Sequence, residues 1–321
     1  MVRISIIIAT YRRRQQLIRC LHGIGAAAKP RDAFEVIVVD DGGGMAAHCG
    51  DGFPHLPIKW IRLEKNLGQP GAQAAGVSHA QGQILAFLDD DAVIEKNWIA
   101  EINRYFENNP GINVVVGRIK ALAQNHILAR TRQQIYDHRH GKYSDPDFRK
   151  QLIEKYRLDI TGDIWLSDHI SGGNFAARAA ALENTGGFNP GIRLGGDDLM
   201  SEKLLRSGQA IGYCRDMVIY HEHNTRYLTL FRNNFIEGRD RIRSLICTGK
   251  FSRGKTGAAV LLNLLAVPFR IFDFPGILKA DGNKVKVYSI YTLVRFFDAL
   301  GRLYQSVLSF FASNKDLKEH R

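Results

Sequence analysis

The sequence contains only four cysteines in 321 residues, and they follow no pattern. They are far apart, and no two form a Cys-x-x-Cys pair: they are Cys20, Cys49, Cys214 and Cys247. Structural zinc sites and disulfide frameworks depend on regularly spaced cysteines, so we expect neither. Free thiols in a reducing compartment are the simpler assignment. The sequence also shows no internal repeat and no low-complexity linker, which favours one large domain or one domain with an extension.

Long apolar runs are missing as well. The first run, Ile4 to Ala9, is too short for the core of a signal peptide and precedes no cleavage pattern of small residues. The strongest run, residues 258–269, is interrupted by Asn263 and Pro268, whereas a membrane-spanning helix needs about 20 apolar residues. The sequence therefore predicts a cytoplasmic protein whose first apolar run is a buried strand.

The formal charge of +12 is concentrated in the C-terminal part of the chain. Residues 226–321 contain 17 Lys and Arg against 7 Asp and Glu, a net charge of +10. The first two thirds are nearly neutral, which fits an enzyme domain with a basic extension better than a wholly nucleic-acid-binding protein. No nucleic-acid-binding module is recognisable, so we expect no nucleic acid partner.

Strand and helix patterns alternate through the first 90 residues. Apolar, β-branched runs predict strands at residues 4–9, 34–39, 58–63 and 84–88. Such alternation is typical of an α/β protein with a mostly parallel, doubly wound sheet, in which ligands bind beyond the carboxyl ends of the strands. Three polar segments follow strand ends and are expected to face one crevice: Thr10-Tyr11, Asp40-Asp41 and Asp89-Asp90-Asp91.

The run Asp89-Asp90-Asp91 suits a divalent cation. Mg²⁺ and Mn²⁺ prefer oxygen ligands, and Mg²⁺ commonly shares them between carboxylates and substrate phosphates. A diphosphate leaving group needs this neutralisation because negative charge builds on its oxygen as it departs. The alternative is a solvated acidic turn, or aspartates that cap the helix beginning near Glu95. Three adjacent carboxylates repel one another, which makes the alternative less favourable.

The ordered set of motifs resembles the family 2 glycosyltransferases of the GT-A fold (Rossmann-like). The resemblance covers roughly residues 3–240, and its specificity comes from the order of the motifs, since each alone is weak. The motifs are Ile4 to Arg12, Val36 to Gly43, Asn66-Leu67-Gly68, Phe87 to Asp91, Ser171 to Phe175, Gly186-Gly187-Phe188, Gly195 to Leu199 and Tyr220 to His223.

This resemblance implies a nucleotide-binding set on the donor side. Asp41 is implied to hold the base, and Asp89 to meet the ribose or the metal, while Asp90 occupies the variable position between the two functional aspartates. The residues implied to bind nucleotide are Ala9, Thr10, Tyr11, Arg13, Asp40, Asp41, Asn66, Gly68, Asp89 and Asp90. Without the family context, Asp40-Asp41-Gly42 would equally suit an ordinary turn.

One departure affects the diphosphate. Members of the family often carry an Arg-Asn pair in the helix that follows Asn66-Leu67-Gly68, whereas this sequence has Gln73-Ala74. That change removes a positive charge. Arg12, Arg13 or the metal alone are the candidates to compensate for it.

The resemblance also implies the catalytic base and a further metal ligand. Asp197 matches the usual base, Gly196 replaces the acidic residue that commonly precedes it, and Asp198 is the alternative one position on. Both aspartates could instead only cap a helix. His221 matches a histidine that ligates metal together with Asp89 and Asp91. The acceptor and donor-sugar side is implied to be lined by Trp165, Gly172, Gly173 and Asn174.

We therefore divide the chain into a nucleotide-sugar-binding and catalytic domain at 1–225 and a basic, apolar helical region at 226–321. Residues 120–165 are interpreted as an insertion on the acceptor side. Residues 287–311 suit an amphipathic helix in a membrane interface, with a core-packing helix or a dimer contact as the alternative. A dimer contact at this helix would be compatible with a homo-oligomer.

The expected activity is that of an inverting glycosyltransferase that uses a nucleotide-diphosphate sugar, a UDP-sugar by preference, with Mn²⁺ or Mg²⁺. The expected acceptor is a saccharide or a lipid-linked molecule of cell-surface polysaccharide or glycolipid synthesis, reached from the cytoplasmic face of the membrane. A sugar-phosphate nucleotidyltransferase would need a glycine-rich signature after the first strand, which Thr10 to Arg14 lacks. Two alternatives remain. One is a catalytically inactive relative that binds nucleotide, which Gln73 and Gly196 support, and the other is a basic nucleic-acid-binding protein.

Overall fold

The computed structural model describes most of the chain. The described residues are 2–29, 33–44, 52–123, 126–188, 196–222, 226–247, 251–252, 256, 259–260 and 284–311. Gly195, His223 and nearly all of the apolar run 258–269 lie outside them. The chain divides into two compact units, one formed by residues 1–122 and 139–222 and the other by residues 123–138 and 223–321. The stretch 120–165, interpreted above as one insertion, is thus shared between the two units.

The first unit contains a mixed sheet built from the strands of the described residues. Strands β1 to β4 form a parallel block in the order β3-β2-β1-β4, and the sheet continues as β8-β6-β9-β5, with β7 paired to β9. Of the later pairs, β6 and β9 run parallel, and the others are antiparallel. The strands are β1 Ile4–Thr10, β2 Phe34–Asp40, β3 Ile58–Arg62, β4 Ile84–Asp89, β5 Ala92–Ile94, β6 Val114–Ala121, β7 Leu166–Ser167, β8 Asn174–Arg178 and β9 Ile211–His221.

Helices follow the strands as the α/β pattern predicts. The helix α2 packs on β1 and β2, and α3 packs on β9. Close packing explains the small residues of α2, since a Cβ atom on Gly76 would lie 2.5 Å from Ile7 Cγ2. The helices are α1 Arg14–Ala27, α2 Gln69–Val77, α3 Trp98–Asn108, α4 Ile127–Tyr143, α5 Pro146–Tyr156, α6 Ala179–Asn184, α7 Gly196–Arg206, α8 Tyr227–Cys247 and α9 Lys284–Phe311.

The register of the parallel block aligns the strand ends that carry the polar segments. Thr10 pairs with Asp40 on one side of β1, and Ala9 pairs with Asp89 on the other. The strands themselves are held by apolar packing: β1 is almost entirely buried, and the ring of Phe87 stacks on that of Phe175 with centroids 4.4 Å apart. A buried apolar sheet therefore fixes the positions at which the acidic side chains emerge.

The second unit is dominated by α8 and α9, which pack closely against each other. Glycines allow this approach, because a Cβ atom on Gly238 would collide with the carbonyl oxygen of Asp298. Charged side chains are buried along the contact, and Arg302 Nη2 lies 2.8 Å from Asp298 Oδ2. Among the described residues, none of the helices combines the length and the apolar character that crossing a membrane requires.

Candidate active site

The aspartate run lies where β4 turns into β5. Asp89 is the last residue of β4, and Asp90 and Asp91 form the turn before β5. Strand β5 pairs antiparallel with β9 in a register that sets Ala92 opposite His221. The fold thus brings His221 to the aspartates across more than 130 positions of sequence, as the resemblance implied.

Asp89, Asp91 and His221 form a compact cluster. His221 Nε2 lies 3.2 Å from Asp89 Oδ2 and 3.0 Å from Asp91 Oδ1, and one ligand atom from each of the three residues lies within 4.8 Å of the other two. Burial opposes a charge on the imidazole, but the hydrogen bonds to Asp89 and Asp91 raise the pKa of His221 well above its ordinary value. Two carboxylates and an imidazole are a donor set that suits Mn²⁺ and also accommodates Mg²⁺, so the residues present fit a divalent cation.

Asp90 has a different environment from its two neighbours. Its side chain is buried, and Oδ2 accepts a hydrogen bond of 2.7 Å from the Thr10 hydroxyl. Arg13 Nη1 lies 3.1 Å from Asp90 Oδ1 and 2.8 Å from Asp91 Oδ2. Burial raises the pKa of Asp90 to about 6, although the charge of Arg13 works in the opposite direction. Asp90 therefore ties the end of β1 to the aspartate turn.

The Asp40-Asp41 pair organises the loops at the end of β2. Asp40 Oδ1 accepts a hydrogen bond of 2.7 Å from the backbone N–H of Gly43. Both oxygens of Asp41 accept backbone hydrogen bonds, from Leu67 at 2.7 Å and from Gly68 at 2.9 Å. Asp41 is only 3% exposed. Its observed contacts hold the Asn66-Leu67-Gly68 turn in place, and its implied role in binding a base stays a prediction.

Tyr11 and Ala9 complete the donor-side set. Tyr11 is exposed at the end of β1, with the guanidinium of Arg12 5.1 Å from the centre of its ring. Ala9 is partly buried between the neighbouring strands. The implied donor-side residues therefore lie at the carboxyl ends of β1, β2 and β4, except for Asn66 and Gly68, which follow β3 in the turn held by Asp41.

The two candidate bases on α7 have distinct partners. Asp197 Oδ2 accepts a hydrogen bond of 2.8 Å from the backbone N–H of Gly172, and burial raises the pKa of Asp197 to about 6. Asp198 Oδ1 lies 3.2 Å from Nδ1 of His169. Both aspartates are in the first turn of α7, where a carboxylate is also favourable for the helix. The bond from Gly172 links Asp197 to the Gly172-Gly173 turn.

A two-glycine turn packs against both Asp89 of the Asp89, Asp91 and His221 cluster and Asp197. A Cβ atom on Gly172 would lie 2.6 Å from Asp197 Oδ1, and one on Gly173 would collide with the Asp89 carboxylate. Any side chain at either position would therefore displace a carboxylate or the backbone. Gly172 and Gly173 thus allow Asp197 and Asp89 to pack closely against the same short segment.

Asn174 and Trp165 differ in burial and in the contacts of their side chains. Asn174 is fully buried, its amide nitrogen donates to the carbonyl oxygens of Arg118 and Met217, and its carbonyl accepts from Trp98 Nε1 at 2.9 Å. These bonds engage both ends of its amide, and the implied place of Asn174 on the acceptor side stays a prediction. Trp165 is only partly buried, and its ring stacks on that of Tyr213 at 6.2 Å.

Two residues in this region had not been singled out from the sequence. Gln69 donates from Nε2 to Asp89 Oδ1 at 2.8 Å, and His169 pairs with Asp198. Gln69 is one helical turn before Gln73, so the two amides share a face of α2. That spacing was the signal available for Gln69, whereas nothing local to His169 distinguishes it from a surface histidine.

The comparison with protein families agrees with this geometry. The model of glycosyl transferase family 2 matches residues 5–185, which include the strand ends, the aspartate run and the glycine turn. The chain belongs to glycosyl transferase family 2. This family 2 glycosyltransferase is 22% identical over 245 residues to the glycosyltransferase AglE of Haloferax volcanii, a match that spans 75% of this chain and 73% of AglE. Other curated relatives are matched over only about two fifths of their own length.

Two solved structures show the same fold. A mannosyltransferase from Pyrobaculum calidifontis in complex with GDP-Man and Mn²⁺ superposes with a TM-score of 0.59 at 16% identity, over 96% of this chain and 86% of that one. A 1–349 fragment of S. aureus TarS in complex with UDP-GlcNAc gives a TM-score of 0.54 at 17% identity, over 96% and 92%. The family 2 glycosyltransferase described here therefore has the GT-A fold with a helical C-terminal part.

Proposed function

We propose that this family 2 glycosyltransferase inverts the anomeric centre of a nucleotide-diphosphate sugar while it transfers the sugar to an acceptor hydroxyl. The observation that carries the proposal is that Asp197 and Asp89 pack against two adjacent glycines of one turn, Gly172 and Gly173. A leaving-group site and a base must flank the reacting carbon for a single displacement. The closeness of both carboxylates to one turn supports the assignment of the two roles to a single site.

The leaving-group side is assigned to Asp89, Asp91 and His221, which would hold Mn²⁺ or Mg²⁺. When bound, such a cation neutralises the charge that develops on the departing diphosphate. The donor set and the spacing of its atoms support this assignment. The mannosyltransferase from P. calidifontis, whose structure contains Mn²⁺, provides further support.

Arg13 is proposed to contact the diphosphate. Its side chain is half exposed and is held at the aspartate turn by Asp90 and Asp91. A guanidinium presents paired N–H donors that match phosphate oxygens. We favour a UDP-sugar as the donor, in line with the UDP-GlcNAc bound in the TarS fragment; a GDP-sugar, as in the mannosyltransferase, is the second candidate.

The acceptor side is assigned to Asp197. Its carboxylate would take the proton of the acceptor hydroxyl as that oxygen bonds to the anomeric carbon. The bond from the same carbon to the diphosphate oxygen breaks on the opposite face, so the configuration inverts. Burial and the bond to Gly172 keep the carboxylate in a fixed orientation. Asp198, which is paired with His169, is the alternative base.

The second unit leads us to propose a lipid-linked acceptor and a membrane surface. Large apolar side chains are exposed on one face of α9, at Leu293, Phe296, Tyr304, Val307 and Leu308. Their spacing covers a single stripe of the helix, and the region from 226 onward carries a net charge of +10. Apolar contact combined with positive charge favours the anionic cytoplasmic leaflet. An acceptor of cell-surface polysaccharide or glycolipid synthesis would be available there.

A flotation experiment tests the membrane proposal. The full chain should float with vesicles that contain anionic lipid and not with neutral vesicles. A double variant, Phe296→Glu with Leu308→Glu, should lose flotation while it keeps its circular dichroism spectrum. Flotation that is unchanged in the double variant would overturn the assignment of this stripe.

A donor screen tests the catalytic proposal. Purified protein is incubated with a panel of UDP- and GDP-sugars and either Mn²⁺ or Mg²⁺, and the released nucleoside diphosphate is measured. We expect cation-dependent release from one or a few donors. The absence of release and of transfer with every donor and acceptor tried would instead favour a nucleotide-binding protein without catalysis.

A further inference from the structure

Gln73 is the residue at which this sequence departs from the Arg-Asn pair of its family, and the structure gives it a specific contact. It lies on α2, is 3% exposed, and donates from Nε2 to the carbonyl oxygen of Gly172 at 3.0 Å. The two residues are 99 positions apart in sequence. A buried amide that is hydrogen-bonded to the backbone helps to orient the backbone group that it contacts. It has no charge that could pair with a phosphate.

Gly172 transmits this contact to the candidate base. Its carbonyl accepts from Gln73, and its N–H donates to Asp197 Oδ2 at 2.8 Å. A second chain of bonds supports the same segment: Ile170 N–H donates to Ser201 Oγ at 2.8 Å, and the Ser201 hydroxyl donates to the carbonyl oxygen of Asp197. Gly172 has no side chain that could hold it in place, so its orientation depends on these bonds.

The other departure from the family, Gly196, packs against the same helix α2. A Cβ atom on Gly196 would lie 2.7 Å from Cγ of Pro70. Pro70 precedes Gln73 by three residues on α2, so both side chains are on one face of that helix. Helix α2 therefore meets the first residue of α7 through Pro70 and meets the glycine turn through Gln73.

We propose that Gln73 is a positioning residue for catalysis, whose amide fixes Gly172 and thereby the orientation of the Asp197 carboxylate toward the acceptor hydroxyl. This inference rests on the proposed role of Asp197 as the base. Gln73 and Gly196 then both belong to the region where the donor-side helix α2 meets the glycine turn and the base-bearing helix α7. They are not two separate losses of catalytic machinery.

The test compares Gln73→Met with Gln81→Met. The first variant keeps the length of the side chain and removes the N–H donor, and the second makes the same change at an exposed position. We expect Gln73→Met to lower kcat about tenfold or more, with the dissociation constant of the sugar nucleotide and Mn²⁺ changed by less than about twofold. Gln81→Met should match the wild type in both quantities.

The pH profile provides a readout that a purely structural role would not change. The N–H of Gly172 lowers the pKa of Asp197, as does the charge of His169, whereas burial, Asp89 and Asp198 raise it. When Gly172 is no longer held by Gln73, the acid limb of kcat/KM should therefore move to higher pH. Gln81→Met should leave the limb unchanged.

Hydrogen exchange tests the contact without any reliance on activity. In Gln73→Met, backbone amides of the segment Ile170 to Asn174 should exchange faster than in the wild type and in Gln81→Met. Unchanged protection of that segment would overturn the inference even if the protein proved to have no transferase activity. Faster exchange combined with unchanged kcat and an unchanged acid limb in an active enzyme would overturn it as well.

Gln73→Arg separates positioning from donor binding. If the position served the diphosphate, the arginine would tighten sugar-nucleotide binding, and Gln73→Met would weaken it. We expect the opposite pattern, in which neither variant improves donor affinity and both lower kcat. Tighter donor binding by Gln73→Arg with full kcat would contradict the positioning role.

Discussion

Gly173 and Asp89 are packed so closely that a Cβ atom on the glycine would collide with the carboxylate. Asp89 also accepts a hydrogen bond from Gln69 and lies 3.2 Å from His221 Nε2. Asp89 is thus held by contacts from α2, from β9 and from the glycine turn. The site therefore requires glycine at both positions of the turn, because a side chain at either one would displace a carboxylate.

Gly173→Ala should therefore strongly lower the activity. The added methyl group must push the Asp89 carboxylate or the turn out of place, and misplacement of about 1 Å at a reacting site can cost on the order of 100-fold in rate. Nucleotide release measured under saturating donor should fall by about that factor. Gly141→Ala is the matched control, because a Cβ atom there meets no neighbour within 4 Å.

Asp41 is expected to matter for stability as much as for binding. Its two oxygens accept N–H groups from Leu67 and Gly68, and bonds to charged acceptors contribute about 1.5–3 kcal/mol each. Asp41→Asn should lower the free energy of unfolding in urea by about 1.5–3 kcal/mol. Asp159→Asn, at an exposed position, should change it by less than about 0.5 kcal/mol. Equal stability of the two variants would contradict the role of Asp41 in holding the turn.

The two aspartates of α7 are distinguished by a pair of isosteric substitutions. Asp197→Asn removes the carboxylate bonded to Gly172, and Asp198→Asn removes the one paired with His169. We expect Asp197→Asn to abolish transfer while sugar-nucleotide binding, measured by calorimetry, is retained. Asp198→Asn should keep most of its activity. The reverse outcome would shift the assignment of the base by one residue.

The pH dependence of the reaction follows from the surroundings of Asp197. Burial raises the pKa of Asp197 to about 6, against the effect of His169 and the Gly172 N–H. A base must be deprotonated, so kcat/KM should fall as the pH is lowered through about 6. A cation bound near Asp89 would offset part of the negative charge and shift this limb downward.

The raised pKa of Asp197 affects activity and folding stability in opposite directions as the pH rises. Because the folded state holds the proton of Asp197 more tightly than the unfolded chain, this group stabilises the fold at low pH, and the contribution is lost as the pH rises through about 6. Asp197→Asn should remove that dependence, so its stability relative to the wild type should increase across this range. Urea unfolding at pH 4 and pH 7 provides the comparison.

The sequence alone predicted the parts of the fold that depend on local patterns. The apolar runs before Thr10, Asp40 and Asp89 predicted strands, and the strand ends do lie side by side in a parallel block. The order of the motifs predicted that His221 would reach the aspartates. Family pattern carried that expectation, since no local signal links residues more than 130 positions apart.

The details of the site could not be predicted because they depend on single polar contacts across the fold. The hydrogen bonds that the Asn174 amide makes with Arg118, Met217 and Trp98 left no trace in the sequence. The bond from Gln73 to Gly172 joins a helix to a distant turn without any periodicity. Whether a polar side chain is buried, and which partner it then bonds to, can be predicted only when the neighbouring helices and strands are known.

The most direct test of the account is the cation-dependent turnover of a sugar nucleotide by the wild type and by Asp91→Ala. Asp91 lies 3.0 Å from His221 Nε2 and belongs to the proposed cation cluster. We predict Mn²⁺- or Mg²⁺-dependent release of nucleoside diphosphate by the wild type and its loss in Asp91→Ala, with the circular dichroism spectrum unchanged. Full activity of Asp91→Ala would contradict the assignment of the active site to the aspartate run.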